Sequence, residues 1–369
     1  MSETDLHLPN LTVRRFRGIQ DLSIERLGRV TLIAGKNGVG KTTVLDAVRT
    51  YAARGHFSVL SSILRDREEI TNAIDEDGEE VLAPNWDALF YGRLISPGNC
   101  IAIGPGSSPQ QLTIKAGPMT PTEAFQWERF LPNHLPDEYA RVLRVTYQGK
   151  EQATPLFVFQ SLWHGRLPDN QNELPSGIRY ESLGPSVLDN KDIARFWDKV
   201  ALTDSENRAV EALRLVFGDT VERAAIIGND ETASSRYSRR AFVRIAGQKR
   251  PVPLRSLGDG AVRLFGVALA LANSQGGFLL IDEAENGIHH TIQRDFWRMV
   301  LLTAQENNVQ VFATTHSWDC VAGFAQAAVA AEGVEGALVR LESDGEGIRA
   351  VEYSERQLRV AAEQGIEVR

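Results

Sequence analysis

Residues 30–48, VTLIAGKNGVGKTTVLDAV, place an apolar stretch, a glycine-rich loop and a helix-patterned segment in direct succession. The loop, Gly35-Lys36-Asn37-Gly38-Val39-Gly40-Lys41-Thr42, is a complete G-x-x-x-x-G-K-T, and Thr43 follows it. Glycines let the backbone wrap closely so that its N–H groups face phosphate oxygens, and the start of the following helix adds favourable potential. In this pattern Lys41 reaches the β- and γ-phosphates and the Thr42 hydroxyl is placed to ligate Mg²⁺. The flanks agree with the loop: RVTLIAG reads as a strand, and TTVLDAVRTYA repeats apolar Val44, Leu45 and Val48 at helical spacing.

Working outward, LTVRRFRGI and LSIERL read as two more strands separated by turn-prone Gly18 and Asp21. From about Ala53 to Val252 the pattern is irregular, with short strands such as NCIAIG and QLTIKAG and the amphipathic helix NRAVEALRLVFG. No sustained heptads occur there, so long coiled-coil arms are not expected. The last third is regular: a helix over 261–272, the strand FLLI, a helix over 291–305, the strand VQVFATT and another helix. Strands alternating with helices imply a largely parallel sheet. ALVRLESDGEGIRAVEY then reads as a hairpin turning at 344–347, and ERQLRVAAEQ as a short closing helix. The expected organisation is an N-terminal lobe over 1–52, an inserted α+β region over 53–252 and a C-terminal lobe over 253–369.

Composition bounds the rest. The chain has 369 residues and a formal net charge of −8, so any contact with nucleic acid must be local. Cys100 and Cys320 are far apart and suggest neither a zinc site nor a redox pair. MSETDLHLPN lacks a secretory pattern, and the longest apolar run, Leu264 to Ala272, is too short to span a bilayer and reads as a buried helix. A cytoplasmic setting without a membrane role is the expectation.

Three further segments carry chemistry. Phe278-Leu279-Leu280-Ile281-Asp282-Glu283 ends an apolar strand in adjacent carboxylates, which point differently and can take different tasks. Beside a phosphate loop, Asp282 is expected in the Mg²⁺ shell and Glu283 at the attacking water. Thr314-Thr315-His316-Ser317 follows another strand, which in a parallel sheet sets His316 on the phosphate-loop edge. Ser256-Leu257-Gly258-Asp259-Gly260 opens a helix and forms a second anion site, too far along the chain to join the first cradle. His289 and His290 are adjacent, but no third ligand stands at helical spacing. Trp86, Trp127, Trp163 and Trp197 read as core residues. Arg14, Arg15 and Arg17 beside Phe16 form the densest basic cluster near the start; contact with nucleotide or nucleic acid and a solvated strand face both fit.

These segments together resemble the ABC/SMC-like ATPases of AAA type that are related to the ATPase part of the overcoming-lysogenisation-defect (OLD) nucleases. LTVRRFRGIQDLSIERLGRVTLIAGKNGVGKTTVLDAV looks like the family's opening. VPLRSLGDGAVRLFGVALALANSQGGFLLIDEAENGIHH and VQVFATTHSWDC look like its signature, acidic and histidine segments. The resemblance implies an α/β fold of ABC P-loop type, with a mixed or parallel central sheet, an antiparallel N-terminal sheet and an inserted middle. It implies ATP and Mg²⁺ as cofactors, with Gly35 through Thr43 on the phosphates, and Thr42 and Asp282 on the metal. Glu283 would be the base, His316 a switch, and Lys41 a catalytic cation. Ser256 and Gly258 would touch the γ-phosphate held by a second copy, so an ATP-dependent homodimer or larger assembly is expected. Glu285-Asn286-Gly287-Ile288-His289 stands where such proteins carry a loop across the dimer interface, a simple turn being the alternative. Gln160, after LFVF, is a candidate for the glutamine that senses Mg²⁺ and water, with its register open.

The OLD nucleases continue into a TOPRIM domain, whereas here about 50 residues follow His316 with no D-x-D pair. The resemblance therefore implies an ATPase controlling a separate, nuclease-like effector in antiviral defence. A DNA clamp similar to RecF is the alternative. A transporter subunit is disfavoured by FRGI and the SLGDG signature, and a GTPase by the lack of N-K-x-D.

Overall fold

The computed structural model describes residues 6–74, 80–96, 98–106, 109–127, 141–156, 174–228, 239–331, 333–343, 345, 347–354, 357, 358 and 360. Two six-stranded sheets dominate it. The first joins β1 (Leu11–Phe16), β2 (Ile19–Ile24), β6 (Cys100–Gly104), β7 (Leu112–Pro118), β8 (Arg141–Tyr147) and β9 (Lys150–Pro155) in the order β2-β1-β6-β7-β8-β9. Every pairing in it is antiparallel. The second joins β10 (Tyr180–Leu183), β14 (Phe278–Ile281), β15 (Gln310–Thr315), β3 (Val30–Ala34), β16 (Gly336–Ser343) and β17 (Ile348–Tyr353) in that order. It is parallel from β10 to β16, and β17 closes it antiparallel to β16.

Smaller sheets complete the set: β4 (Ile70–Ile74) with β5 (Glu80–Pro84), and β11 (Val221–Gly228), β12 (Arg239–Ile245) and β13 (Val252–Pro253). The helices are α1 (Lys41–Ala52), α2 (Phe57–Asp66), α3 (Pro121–Trp127), α4 (Asn190–Asp198), α5 (Asp204–Phe217), α6 (Asp259–Asn273), α7 (Gln293–Glu306) and α8 (Trp318–Ala330). The expected α/β architecture is present, with a mixed central sheet and an antiparallel sheet that begins at the N-terminal strands.

Side chains alternate across a strand, and both faces of the central sheet are covered, so its strands read as continuous apolar runs. Leu32, Leu279, Ile281, Val311 and Ala313 face one core, packed by α5, α6, α7 and α8. Ile33, Phe278, Leu280, Phe312 and Val339 face the other, where Val44, Leu45 and Val48 of α1 meet Val13 and Ile103 of the antiparallel sheet. Helix α1 is thus clamped between the two sheets. Phe278 and Phe312 meet edge to face at 5.4 Å there, a contact that contributes about 1 kcal/mol beyond its buried area.

Several local features explain the element ends. Ser317 accepts from the N–H of Cys320 and caps α8. The helix expected from Thr291 begins at Gln293, because His289 accepts from the N–H of Thr291 and a 3-10 turn over His290–Ile292 comes first. Helix α6, read from the apolar run, is buried along almost its whole length. Trp86, Trp127 and Trp197 are core residues, whereas Trp163 and Gln160 lie outside the described residues. The hairpin of β16 and β17 matches its reading; residues 344 and 346 of its turn lie outside the described set, as does most of the closing segment after 354. No helix among the described residues is long and apolar enough to cross a membrane.

Candidate functional site

The C-terminal ends of β3, β14 and β15 lie side by side. Ala34 pairs with Thr315, and Ile281 with Ala313, so the loops leaving all three strands share one sheet edge. In a parallel sheet this edge, outside the carboxyl ends of the strands, is where ligands bind.

The loop after β3 turns at Gly35, Gly38 and Gly40, with φ of 151°, 77° and 100°. Its tightness is visible at Gly35, where a Cβ would stand 2.8 Å from the carbonyl oxygen of Leu341. A Cβ at the exposed Gly38 would meet nothing within 4 Å, so that side of the loop faces solvent. Val39 is buried under the loop, while Lys36, Asn37 and Gly38 are exposed. Lys41 is 8% exposed and its ammonium donates to the carbonyls of Gly35 at 2.7 Å and Lys36 at 2.9 Å. Burial pulls its pKa down; Glu285, Asp282 and Glu283 oppose that shift. The ammonium is therefore held inside the loop by two carbonyl oxygens and three nearby acids.

Asp282 leaves β14 toward this loop. Its Oδ1 accepts from Thr42 Oγ1 at 3.2 Å and from Thr314 Oγ1 at 2.5 Å. Thr314 Oγ1 in turn accepts from the N–H of Glu283 at 2.9 Å, and its carbonyl accepts from the N–H of Ala284. One buried threonine on β15 thus fixes the turn that carries both acids. Glu283 has φ of 48°, a left-handed conformation that costs a non-glycine residue roughly 1 kcal/mol and persists where surroundings over-determine it. Its carboxylate accepts from Asn286 Nδ2 at 2.7 Å and stands 3.9 Å from His316 Nδ1.

Glu285 is where the sequence reading and the geometry differ in emphasis. Its Oε1 accepts the N–H groups of His316 at 2.8 Å and Ser317 at 3.1 Å, and lies 3.1 Å from His316 Nδ1. The carboxylate holds the His316 loop within the same chain, and the segment's turn, Asn286-Gly287, packs against the start of α6. A Cβ on Gly260 would meet the carbonyl oxygen of Gly287 at 2.5 Å.

Arg263, the one charged side chain within the apolar run of α6, was not singled out from sequence. It is 2% exposed. Its two terminal nitrogens donate to the carbonyls of Gly184, Asp282 and Glu283 at 2.7, 2.8 and 3.2 Å. Burial pulls its pKa down, but an arginine stays charged. A lone arginine in an otherwise apolar helix was the available signal, and Thr314, two residues before His316, was the other.

Ser256 and Gly258 sit elsewhere. Ser256 lies in a 3-10 turn over Leu254–Leu257, and Gly258, with φ of 97°, precedes α6 without a side-chain cap. Both are exposed, and their hydrogen bonds among the described residues are local. The N-terminal arginines take separate paths. Arg14 pairs with Asp21 at the surface, Arg15 donates to the carbonyl of Gly98, and Arg17 turns inward to Glu69 at 3.6 Å. His289 is engaged with Thr291 at 2.9 Å, and among the described residues no group of three or more His, Cys, Asp or Glu side chains is placed to hold a metal ion. Cys320 is fully buried, which pushes its thiol up to about 12 and leaves it unreactive.

The donor set suits a nucleotide with a hard cation: a glycine-rich loop open to solvent, a buried ammonium, and a hydroxyl converging with a carboxylate. Known proteins agree. Residues 178–319 match the family model described as "AAA domain, putative AbiEii toxin, Type IV TA system", and residues 10–79 match one described as "AAA domain". An uncharacterized protein of Methanocaldococcus jannaschii, MJECL11, is 34% identical over 115 residues, which are 31% of this chain and 99% of that protein. A second uncharacterized protein of that organism, MJECL10, is 37% identical over 60 residues, 16% of this chain and only 27% of that protein. Among solved structures, the SmcHead bound to the C-winged helix domain of ScpA aligns over 95% of this chain and 98% of its own, with a TM-score of 0.50 and 13% identity, a likeness of fold. The chain belongs to the family of MJECL11, carries two segments that match AAA domain models, and has a fold similar to that of the SmcHead.

Proposed function

We propose that this chain binds ATP with Mg²⁺ and hydrolyses it in sites completed by the Ser256 to Gly258 segment of a second copy. The observation that carries the reading is the shared Asp282 Oδ1, which draws Thr42 of the phosphate loop and Thr314 of β15 onto one oxygen beside Glu283. Residues 35–43 would cradle the phosphates, with Lys41 on the transferred group, and Thr42 and Asp282 would hold the cation. A Mg²⁺ held by Thr42 and Asp282 would supply positive charge to offset what develops on the phosphates. Glu283 would orient and deprotonate the attacking water, and His316, beside Glu283 and Glu285, would respond to the γ-phosphate. The Mg²⁺-sensing role of Gln160 stands as part of this proposal on resemblance alone.

The exposure of Ser256 and Gly258, whose hydrogen bonds stay local, supports a role toward another molecule. Closure of two copies around nucleotide would then be a switch controlling a separate effector. The solved SmcHead, seen with the winged-helix domain of ScpA, supports the idea that a head of this fold carries a separate protein. A nuclease-like effector in antiviral defence is the partner class that the OLD resemblance favours.

The test is the solution mass of wild type and Glu283→Gln with and without ATP and Mg²⁺, with phosphate release recorded on the same samples. A Glu283→Gln protein that assembles with ATP while releasing little phosphate supports the composite site. Wild-type hydrolysis by Glu283→Gln, with no change of mass, removes Glu283 from its role. A clamp similar to RecF would instead require ATP for salt-sensitive binding of DNA.

A further inference from the structure

The 27 residues from 232 to 258 contain seven Lys or Arg and no Asp or Glu, in a chain whose net charge is −8. Its described part includes β12 and β13, which pair with β11 in a three-stranded sheet. One face of that sheet is core: Val221, Ala224, Ala241 and Val243 are buried against α4, α5 and α6. The other face is open. Strand pairing puts Arg223 opposite Arg244, Ala225 opposite Phe242, and Ile227 opposite Arg240. Alternation then sends Arg240, Phe242 and Arg244 outward from the central strand, at steps of roughly 6.8 Å.

The chemistry of this face is specific. Phe242 is only part-buried and Arg240 lies over its ring at 5.4 Å. Arg244 pairs with Glu222, the single acid on these strands, and both are exposed. Arg223 and, in the turn after β12, Lys249 and Arg250 are exposed and have no ion-pair partner among the described residues. Cations and an aromatic on one exposed sheet face, with Arg223, Lys249 and Arg250 outside any ion pair among the described residues, suit a chain of phosphates carrying stackable bases. An acidic protein surface would use the charges but leave Phe242 without a function. A duplex hides its base faces and would do the same.

We infer that the outward face of β11 and β12, with the turn at Lys249 and Arg250, binds single-stranded nucleic acid. Phe242 stacks a base, and Arg223, Lys249 and Arg250 contact phosphates. The contact needs no nucleotide at the phosphate loop, which separates it from the ATPase reading and from an ATP-gated clamp.

The experiment is fluorescence anisotropy of the full chain, without ATP, on labelled single strands of DNA and RNA about 20 nucleotides long and on a matched duplex, across a salt series. Wild type binds the single strands in preference to the duplex. Replacing Arg223, Lys249 and Arg250 together by Gln lowers the slope of log affinity against log salt by about 2, from roughly 0.7 per phosphate contact. Phe242→Leu weakens binding about tenfold with the slope unchanged, and Phe242→Tyr restores it. Thermal melting confirms that each variant is folded, and if Phe242→Leu melts early the exposed Gln triple decides alone. Unchanged affinity and slope in the folded variants, equal binding of duplex, or no binding of nucleic acid at all would each overturn the assignment; the last would hand the face to an acidic protein.

Discussion

Thr314 Oγ1 donates to Asp282 Oδ1 at 2.5 Å while accepting from the N–H of Glu283 at 2.9 Å, so one hydroxyl on β15 sets both acids at the end of β14. Thr314→Val keeps the shape but leaves the part-buried Glu283 N–H without its acceptor and Asp282 without the Thr314 donor. A loss of about 1–3 kcal/mol is expected in urea unfolding. Phosphate release should fall further than ATP affinity, because ligand-binding atoms remain while the acids lose their orientation. Thr314→Ser, which keeps the hydroxyl, should retain most of both.

Arg263 ties α6 to the same turn from the opposite side, through the carbonyls of Asp282 and Glu283. Replacing it by Met leaves the buried Asp282 carbonyl without this donor, while the Glu283 carbonyl keeps the N–H of Asn286, and a loss of about 1–3 kcal/mol is expected. Lys carries one terminal nitrogen and cannot reproduce the fork, so Arg263→Lys should recover only part of the stability. Chemical unfolding of both variants, with phosphate release measured where each is folded, checks this.

Glu285 accepts two successive backbone N–H groups at His316 and Ser317. Glu285→Gln keeps an acceptor oxygen there and should fold normally, whereas Glu285→Ala should lose about 2 kcal/mol and release the His316 loop. Hydrogen exchange at the amides of residues 316 and 317 reads that release directly: faster exchange in Glu285→Ala and near wild-type exchange in Glu285→Gln.

Asp198 and Arg239 form two hydrogen bonds, both 2.6 Å, between α4 and β12. The hydrogen bonds from Arg239 hold the carboxyl below its ordinary value despite some desolvation. A folded-state pKa below the unfolded one means that the stabilisation is present above about pH 3.9 and fades as pH falls through that value toward the folded one. At an exposed site it should be under about 1 kcal/mol. Melting curves of wild type and Asp198→Asn should differ at pH 7 and converge in acid; a gap that persists at low pH removes the pair as its cause.

The parts of this fold that were legible in the chain are those with local signals. Strand β3, its glycine loop and α1 follow one another within 23 residues, and the apolar strand before Asp282 and Glu283 is equally local. The antiparallel sheet was only half visible. NCIAIG and QLTIKAG read as strands, but nothing in them told that they would pair with β1, because that choice is made by tertiary packing under α1. Arg263 and the positioning roles of Thr314 and Glu285 escaped for a related reason: their partners lie 19–79 residues away, on other elements. The charge of residues 232–258 was legible as composition. That the cations and Phe242 share one face required the register of β12.

Strand β3 lies between β15 and β16, with Val30 opposite both Val311 and Gly336, separations of 281 (311 − 30) and 306 (336 − 30) residues. On a ribosome adding roughly 5–20 residues per second, the strand bearing the glycine loop therefore waits on the order of 15–60 s for either neighbour to exist. The β1–β2 hairpin closes at once, and β6 can join it once residue 104 is made. Seating of the glycine loop in the central sheet is thus among the last folding steps open to the nascent chain. A translation product halted before residue 310 would carry the whole glycine loop yet have no sheet to hold it.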